Sequence, residues 1–115
     1  MKLLEFVGAS RDELLSFPRG VQREMGFQLD RVQNGLLPDD SKAMTTIGAG
    51  VFEIRAREES GAYRTIYAAK YLDTVFVLHC FHKKTQRTSQ VSIETARQRL
   101  QVELNAATKR KRDKS

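Results

Sequence analysis

The chain is 115 residues long, with 40% hydrophobic and 30% charged side chains and no apolar run near the ~20 residues of a membrane-crossing helix. That composition describes one soluble globular domain with no membrane partner, and a single cysteine, Cys80, excludes an internal disulfide or a cysteine-based metal cluster. The formal charge of +6 is unevenly spread: residues 1–50 carry 6 basic and 7 acidic side chains, and residues 51–115 carry 14 basic and 7 acidic. The second half therefore faces a polyanion, with nucleic acid first among the candidates.

The opening MKLLEFVGA is too short, and too soon followed by charged residues, for a secretory signal. It reads as a first strand over Lys2–Val7, and the expected location is the cytoplasm. Ser10 and Glu13 have capping-box spacing, each side chain reaching for the other's backbone N–H at the start of a brief helix. Pro18 stops that helix and suits the first turn of a second one, where no backbone donor is needed. Val21, Met25, Leu29, Val32 and Leu36 then form one apolar stripe, with Gly35 as a stop signal. Leu37–Ser41 (LPDDS) is a loop and Lys42–Ile47 a short strand. Gly48 and Gly50 form a turn, because GAG here lacks the following helix and Lys-Ser pair of a phosphate-binding loop. At the far end, Ser92 reads as the N-cap of a last helix with apolar positions Ile93, Ala96, Leu100, Leu104 and Ala107. One domain is expected over residues 1–108, followed by a basic disordered tail, KRKRDKS, over 109–115.

The informative stretch is Val51–Lys84, three alternating strands joined by two tight turns. In the first, Phe52, Ile54 and Ala56 point one way and Glu53, Arg55 and Arg57 the other. A hairpin loop over Glu58–Gly61 pairs Arg57 with Ala62 and Arg55 with Arg64. A second loop over Tyr71–Thr74 pairs Lys70 with Val75, which sets Arg64 opposite Phe81 and Ile66 opposite His79. One face then collects Arg55, Arg64, His79, Phe81 and Lys83. The other collects Phe52, Ile54, Tyr63, Thr65, Tyr67, Phe76, Leu78 and Cys80 as a core surface. Two arginines directly across strands repel. Either Glu53, Glu58 and Glu59 neutralise them on an ordinary solvated face, or they form an anion site, since planar guanidiniums suit bidentate phosphate recognition. In the second case Phe81 could stack on a base and His79 could move a proton near neutral pH.

FPRGVQREMGFQLDRVQNG, VFEIR at 51–55, AYRTIYAAKY at 62–71, VFVLHCFHKKTQRTS at 75–89 and the IETARQR helix resemble the RelE/ParE toxin superfamily, in its phage-derived HigB-like branch, from about Arg11 to Arg99. The resemblance implies a small α+β fold in which an antiparallel sheet carries an N-terminal helical hairpin on one face, with a C-terminal helix. It also implies a type II toxin held inactive by a cognate antitoxin, a DNA-binding protein, and a metal-independent endoribonuclease that cuts mRNA on the ribosome with no cofactor. The basic residues of the family's sheet correspond to Arg55, Arg64, Lys83 and Lys84, with Arg57, Phe81 and Arg87 as further RNA contacts. Attack of a ribose 2′-OH on its phosphate needs cations for the transition state, a role for Arg55, Arg64 and Lys83, and proton-transfer groups, for which His79 and Glu53 have the right chemistry. RelE-type enzymes often place a tyrosine late in the chain, and none follows Tyr71 here. A ParE-like DNA gyrase inhibitor, or a non-catalytic phage-derived binding module, would use the basic face without needing acid or base.

Overall fold

A computed structural model of the chain describes residues 1–70, 73–83 and 87–113, with side chains through Lys109. The elements run β1 (Leu3–Phe6), α1 (Ser10–Leu15), α2 (Arg19–Gln33), β2 (Ser41–Ala43), β3 (Val51–Glu58), β4 (Gly61–Ala68), β5 (Thr74–Lys83) and α3 (Gln90–Asp113). The five strands form one sheet in the order β1-β5-β4-β3-β2. All pairs are antiparallel except β1, which lies parallel to β5, so the expected α+β fold is built on a mixed sheet. Parallel pairing needs a long crossover, and everything from α1 to β4 supplies it.

The hairpin register places Arg55 opposite Arg64 and Arg57 opposite Ala62, as the alternation requires, and the pairing runs one step further to Glu58 and Gly61. Between β4 and β5, Arg64 faces Phe81 and Ile66 faces His79. The register then slips by one residue, so that Tyr67 pairs with Val77 and Ala68 with Phe76. The expected pairing of Lys70 with Val75 is therefore not made, and the second loop as expected includes Tyr71, which lies outside the described residues. A bulge of this kind reverses the parity of the side chains before it. Val75 and Val77, not Phe76 and Leu78, pack with Tyr63, Tyr67 and Cys80, while Phe76 and Leu78 turn to the opposite face.

Both faces are covered. Leu14 and Phe17 of the α1 region and Val21, Met25, Leu29 and Val32 of α2 pack on Ile54, Ala56, Tyr63 and Tyr67. On the other side Ile93, Ala96, Leu100 and Leu104 of α3 pack on Val51, Ile66, Phe76 and Leu78. The α2 stripe stops at Val32. Gly35, at φ +79°, lets its own N–H reach the Val32 carbonyl and the Leu36 N–H reach Arg31, so the helix closes and Leu36 is left exposed.

Four local expectations are corrected. Ser10 and Glu13 make no capping box: Ala9 occupies the N-cap position, and both side chains are engaged by β5 and α3 instead. Ser89, not Ser92, caps α3, its Oγ accepting the Ser92 N–H at 3.2 Å. The backbone of α3 stays helical to Asp113, through most of the stretch expected to be a disordered tail. The strand expected over Lys42–Ile47 shortens to Ser41–Ala43, because Met44 and Ile47 turn inward to meet α3.

Gly50 closes the turn into β3 at φ +74°, where an added Cβ would collide with the Lys70 side chain. Gly50→Ala is expected to destabilise the fold by about 1–3 kcal/mol, read as a lower urea midpoint at unchanged slope. An unchanged midpoint would mean that this turn carries no such constraint.

Candidate functional site

Three cross-strand rows build the charged part of the α3 face: Glu53–Ile66–His79, Arg55–Arg64–Phe81 and Arg57–Ala62–Lys83. α3 covers only the end of this face nearest Val51 and Phe76, which is apolar. Its N-terminal approach, Arg87 and Thr88, runs back alongside the charged end. Between that approach and the β2–β3 turn lies a cavity of about 360 Å³, whose lining includes Lys42, Thr46, Glu53, Arg55, Lys83 and Arg87.

Glu53, which lines the cavity, is 1% exposed, and Arg64, packed behind it, is 4% exposed. Arg64 Nε lies 3.4 Å and Arg55 Nε 3.9 Å from the same carboxylate oxygen, Oε1 of Glu53. Thr88 Oγ1 donates to the other oxygen, Oε2, at 2.6 Å. These arginine distances give an ion pair but not a hydrogen bond, so Arg55 Nε and both Nε and Nη1 of Arg64 are buried without a hydrogen-bond partner. Buried guanidinium donors are costly to leave unmade, and an anion that presents two oxygens together, such as phosphate, satisfies them best. Burial lowers the pKa of Arg64, with Glu53 opposing and Arg55 adding to the effect. Lys83 is likewise held below the ordinary lysine value, by desolvation first and then by Arg64, against the pull of Glu53.

The other candidate residues divide. Arg57 is exposed and turns from this cavity to a cleft of about 550 Å³ beside the start of α2, with Glu24, Asp40 and Glu58. Phe81 is half-buried opposite Arg64, its ring 5.0 Å from that of His79. Lys84 lies outside the described residues. His79 shares the face but not the cavity: its Nδ1 is 2.9 Å from Glu13 Oε1 and its Nε2 is 3.2 Å from Ser92 Oγ. Both ring nitrogens are engaged by structural partners. Burial pushes the Cys80 thiol up to about 12, so it offers no nucleophile. Among the described residues no three His, Cys, Asp or Glu side chains gather to hold a metal ion.

Sequence reasoning passed over Lys42, Thr88 and the Glu13–Arg99 pair. Thr88 stood within the KKTQRTS stretch, but its partner is 35 residues away. Glu13 was legible only as a local cap.

Comparison with known proteins agrees with this architecture. The model of the family described as "Phage derived protein Gp49-like (DUF891)" matches residues 12–101. The chain belongs to this family. The Gp49-like family is one of RelE/HigB-type toxins. The isolated E. coli RelE toxin superposes with a TM-score of 0.58 at 20% identity, covering 85% of this chain and 98% of that one, which establishes a shared fold. No curated protein matches. The family match covers every residue that lines the Glu53–Lys83 cavity and ends just after Leu100, the last buried position of α3 among the described residues.

Proposed function

We propose that this Gp49-like protein is the toxin of a type II toxin-antitoxin system, a metal-independent endoribonuclease that cleaves mRNA on the ribosome and is neutralised by a cognate DNA-binding antitoxin. The reading rests above all on the Arg55–Arg64 pair, a buried Arg64 beside a partly exposed Arg55, with three of their nitrogens buried without a hydrogen bond next to a cationic cavity. Such donors suit the phosphorane-like transition state formed when a ribose 2′-oxygen bonds to phosphorus and the 5′-oxygen leaves. No helix among the described residues is long and apolar enough to cross a membrane, which accords with action in the cytoplasm beside the ribosome.

Proton abstraction is assigned to Lys83. His79 is bound to Glu13 and Ser92, and Glu53 is bound to Thr88 and the arginines, whereas Lys83 lines the cavity with a depressed pKa that makes its neutral form more available. Neutral Lys83 takes the 2′-OH proton and water protonates the departing 5′-oxygen. Lys83→Met is expected to slow single-turnover cleavage roughly 10²-fold and to remove the rise of rate with pH, while His79→Gln leaves the rate within about threefold. A pH–rate profile that is the same for Lys83→Met as for the parent would return the base to another residue.

The decisive test of function is induced expression in bacteria, the parent chain beside Arg64→Ala, with new mRNA 5′ ends mapped within minutes. Growth arrest with cuts inside translated codons, lost in the variant, is the expected outcome. Arrest with intact mRNA and blocked DNA replication would indicate a gyrase inhibitor, and no arrest a binding module.

A further inference from the structure

Glu53 stands in an unusual place for a carboxylate. It is 1% exposed, it lies at the floor of a cavity whose other charged walls are Lys42, Arg55, Lys83 and Arg87, and it shares one oxygen between two arginines that it does not hydrogen-bond. Its second oxygen is occupied by Thr88, which tethers it away from them. A carboxylate meant only to neutralise Arg64 would be expected to take the guanidinium in a two-bonded fork. A carboxylate meant to carry the substrate proton would be expected to have a free oxygen facing the cavity.

Resting on the reading of this cavity as an RNA-phosphate site, we propose that Glu53 is a positioning residue: an internal counter-anion, held back by Thr88, that keeps Arg55 and Arg64 side by side and competes with the substrate phosphate for them. Without a nearby anion the two guanidiniums, paired across β3 and β4, repel and splay. With a carboxylate in full fork contact they would be spent on it. The Thr88 tether sets an intermediate state in which the pair is neutralised enough to stay side by side and is still short of hydrogen bonds. Phosphate then replaces the weak contact with the strong one, and Thr88 keeps Glu53 from following.

This assignment gives opposite signs to two substitutions that damage alone would move together. The probe is a short single-stranded RNA with 2′-O-methyl riboses, which presents the phosphates but cannot be cleaved, titrated against the full chain at several salt concentrations. Glu53→Gln removes the competitor, and is expected to tighten binding on the order of tenfold and to steepen the salt dependence by about 0.7 in log–log slope, one further phosphate neutralised. The same charge change at exposed Glu59, in the hairpin loop, should alter affinity by less than about twofold. Thr88→Val frees Glu53 to close on the arginines and is expected to weaken binding several-fold. In the Glu53→Gln background Thr88→Val should do nothing, because Thr88 acts through Glu53. Rate separates the roles further: Glu53→Gln should lower the apparent KM with at most a modest loss of kcat, whereas loss of a proton carrier would lower kcat at unchanged affinity. If Arg55→Ala and Arg64→Ala weaken the probe but Glu53→Gln weakens it too or leaves it unchanged, the competitor role is overturned and the phosphate site stands. If neither arginine variant changes binding, the phosphate-site reading falls, and the competitor role with it.

Discussion

Arg64→Ala is expected to lower the cleavage rate by about 10²–10³-fold, the usual consequence of removing a preorganised donor aimed at developing negative charge. The side chain is 4% exposed, with Nε and Nη1 free of any hydrogen bond, so its ordering is supplied by the fold before substrate arrives. Water in place of the guanidinium would have to reorganise during the reaction. Stability should fall as well. The truncation leaves Glu53, 1% exposed, with Thr88 and only the more distant Arg55 at 3.9 Å, and breaking one side of a buried ion pair costs about 3–5 kcal/mol where no other partner remains. With Arg55 and Thr88 retained, about 2–3 kcal/mol is expected in a denaturant titration.

Arg64→Lys separates the two effects. An ammonium keeps the charge beside Glu53 but loses the planar fork, so stability should return most of the way while the rate stays at least about tenfold down. Single-turnover cleavage of mRNA on programmed ribosomes, measured beside urea unfolding, reads both. A lysine variant that cleaves at the parent rate would show that the site needs charge and not guanidinium geometry, and an alanine variant with full activity would remove Arg64 from the reaction.

The arrangement of this face was legible in the sequence wherever one parity was polar. Glu53, Arg55 and Arg57 alternate with Phe52, Ile54 and Ala56, and a short hairpin fixes Arg55 against Arg64, so a period of two suffices to place the arginine pair. The alternation fails in VFVL at 75–78, where both parities are apolar because helices cover both faces of β5. No pattern marks the bulge there, and Phe76 and Leu78 were read onto the wrong face. His79 was placed on the correct face, but its hydrogen-bond partners were not foreseen. Its partners come from α1, 66 residues earlier, and α3, 13 residues later, and no local rule reaches them. The capping-box spacing of Ser10 and Glu13 is a true local signal overridden by stronger long-range demand, since an open strand edge leaves backbone groups that must be satisfied.

That edge sets the largest stability effect expected outside the site. β1 pairs with β5 only as far as Val77, and beyond it the β5 backbone faces no strand on that side among the described residues. Ser10 Oγ donates to the Val77 carbonyl at 3.0 Å, Arg99 Nη1 to the Leu78 carbonyl at 2.9 Å, and the Cys80 N–H donates to Glu13 Oε1 at 3.1 Å. Glu13 also takes both Arg99 terminal nitrogens, at 2.9 and 3.1 Å, and stands 2.9 Å from His79 Nδ1. One carboxylate thus completes a strand edge and ties α1 to α3. Glu13→Ala would strip the partner from Cys80 N–H, His79 and Arg99 together, and is expected to cost about 3–5 kcal/mol, with Glu13→Gln costing less because an amide oxygen can still accept. Burial alone would raise the Glu13 pKa, but the Arg99, Cys80 and His79 contacts outweigh it and hold the value below the ordinary carboxylate range. A depressed folded-state pKa means stability that is present in full above the unfolded value and is lost as pH falls through the folded one. Unfolding free energy measured by urea titration should therefore decline from about pH 5 downwards in the parent chain, and this decline should be shallower in Glu13→Gln. Parallel acid limbs for the two proteins would mean that the Glu13 cluster contributes nothing to acid sensitivity.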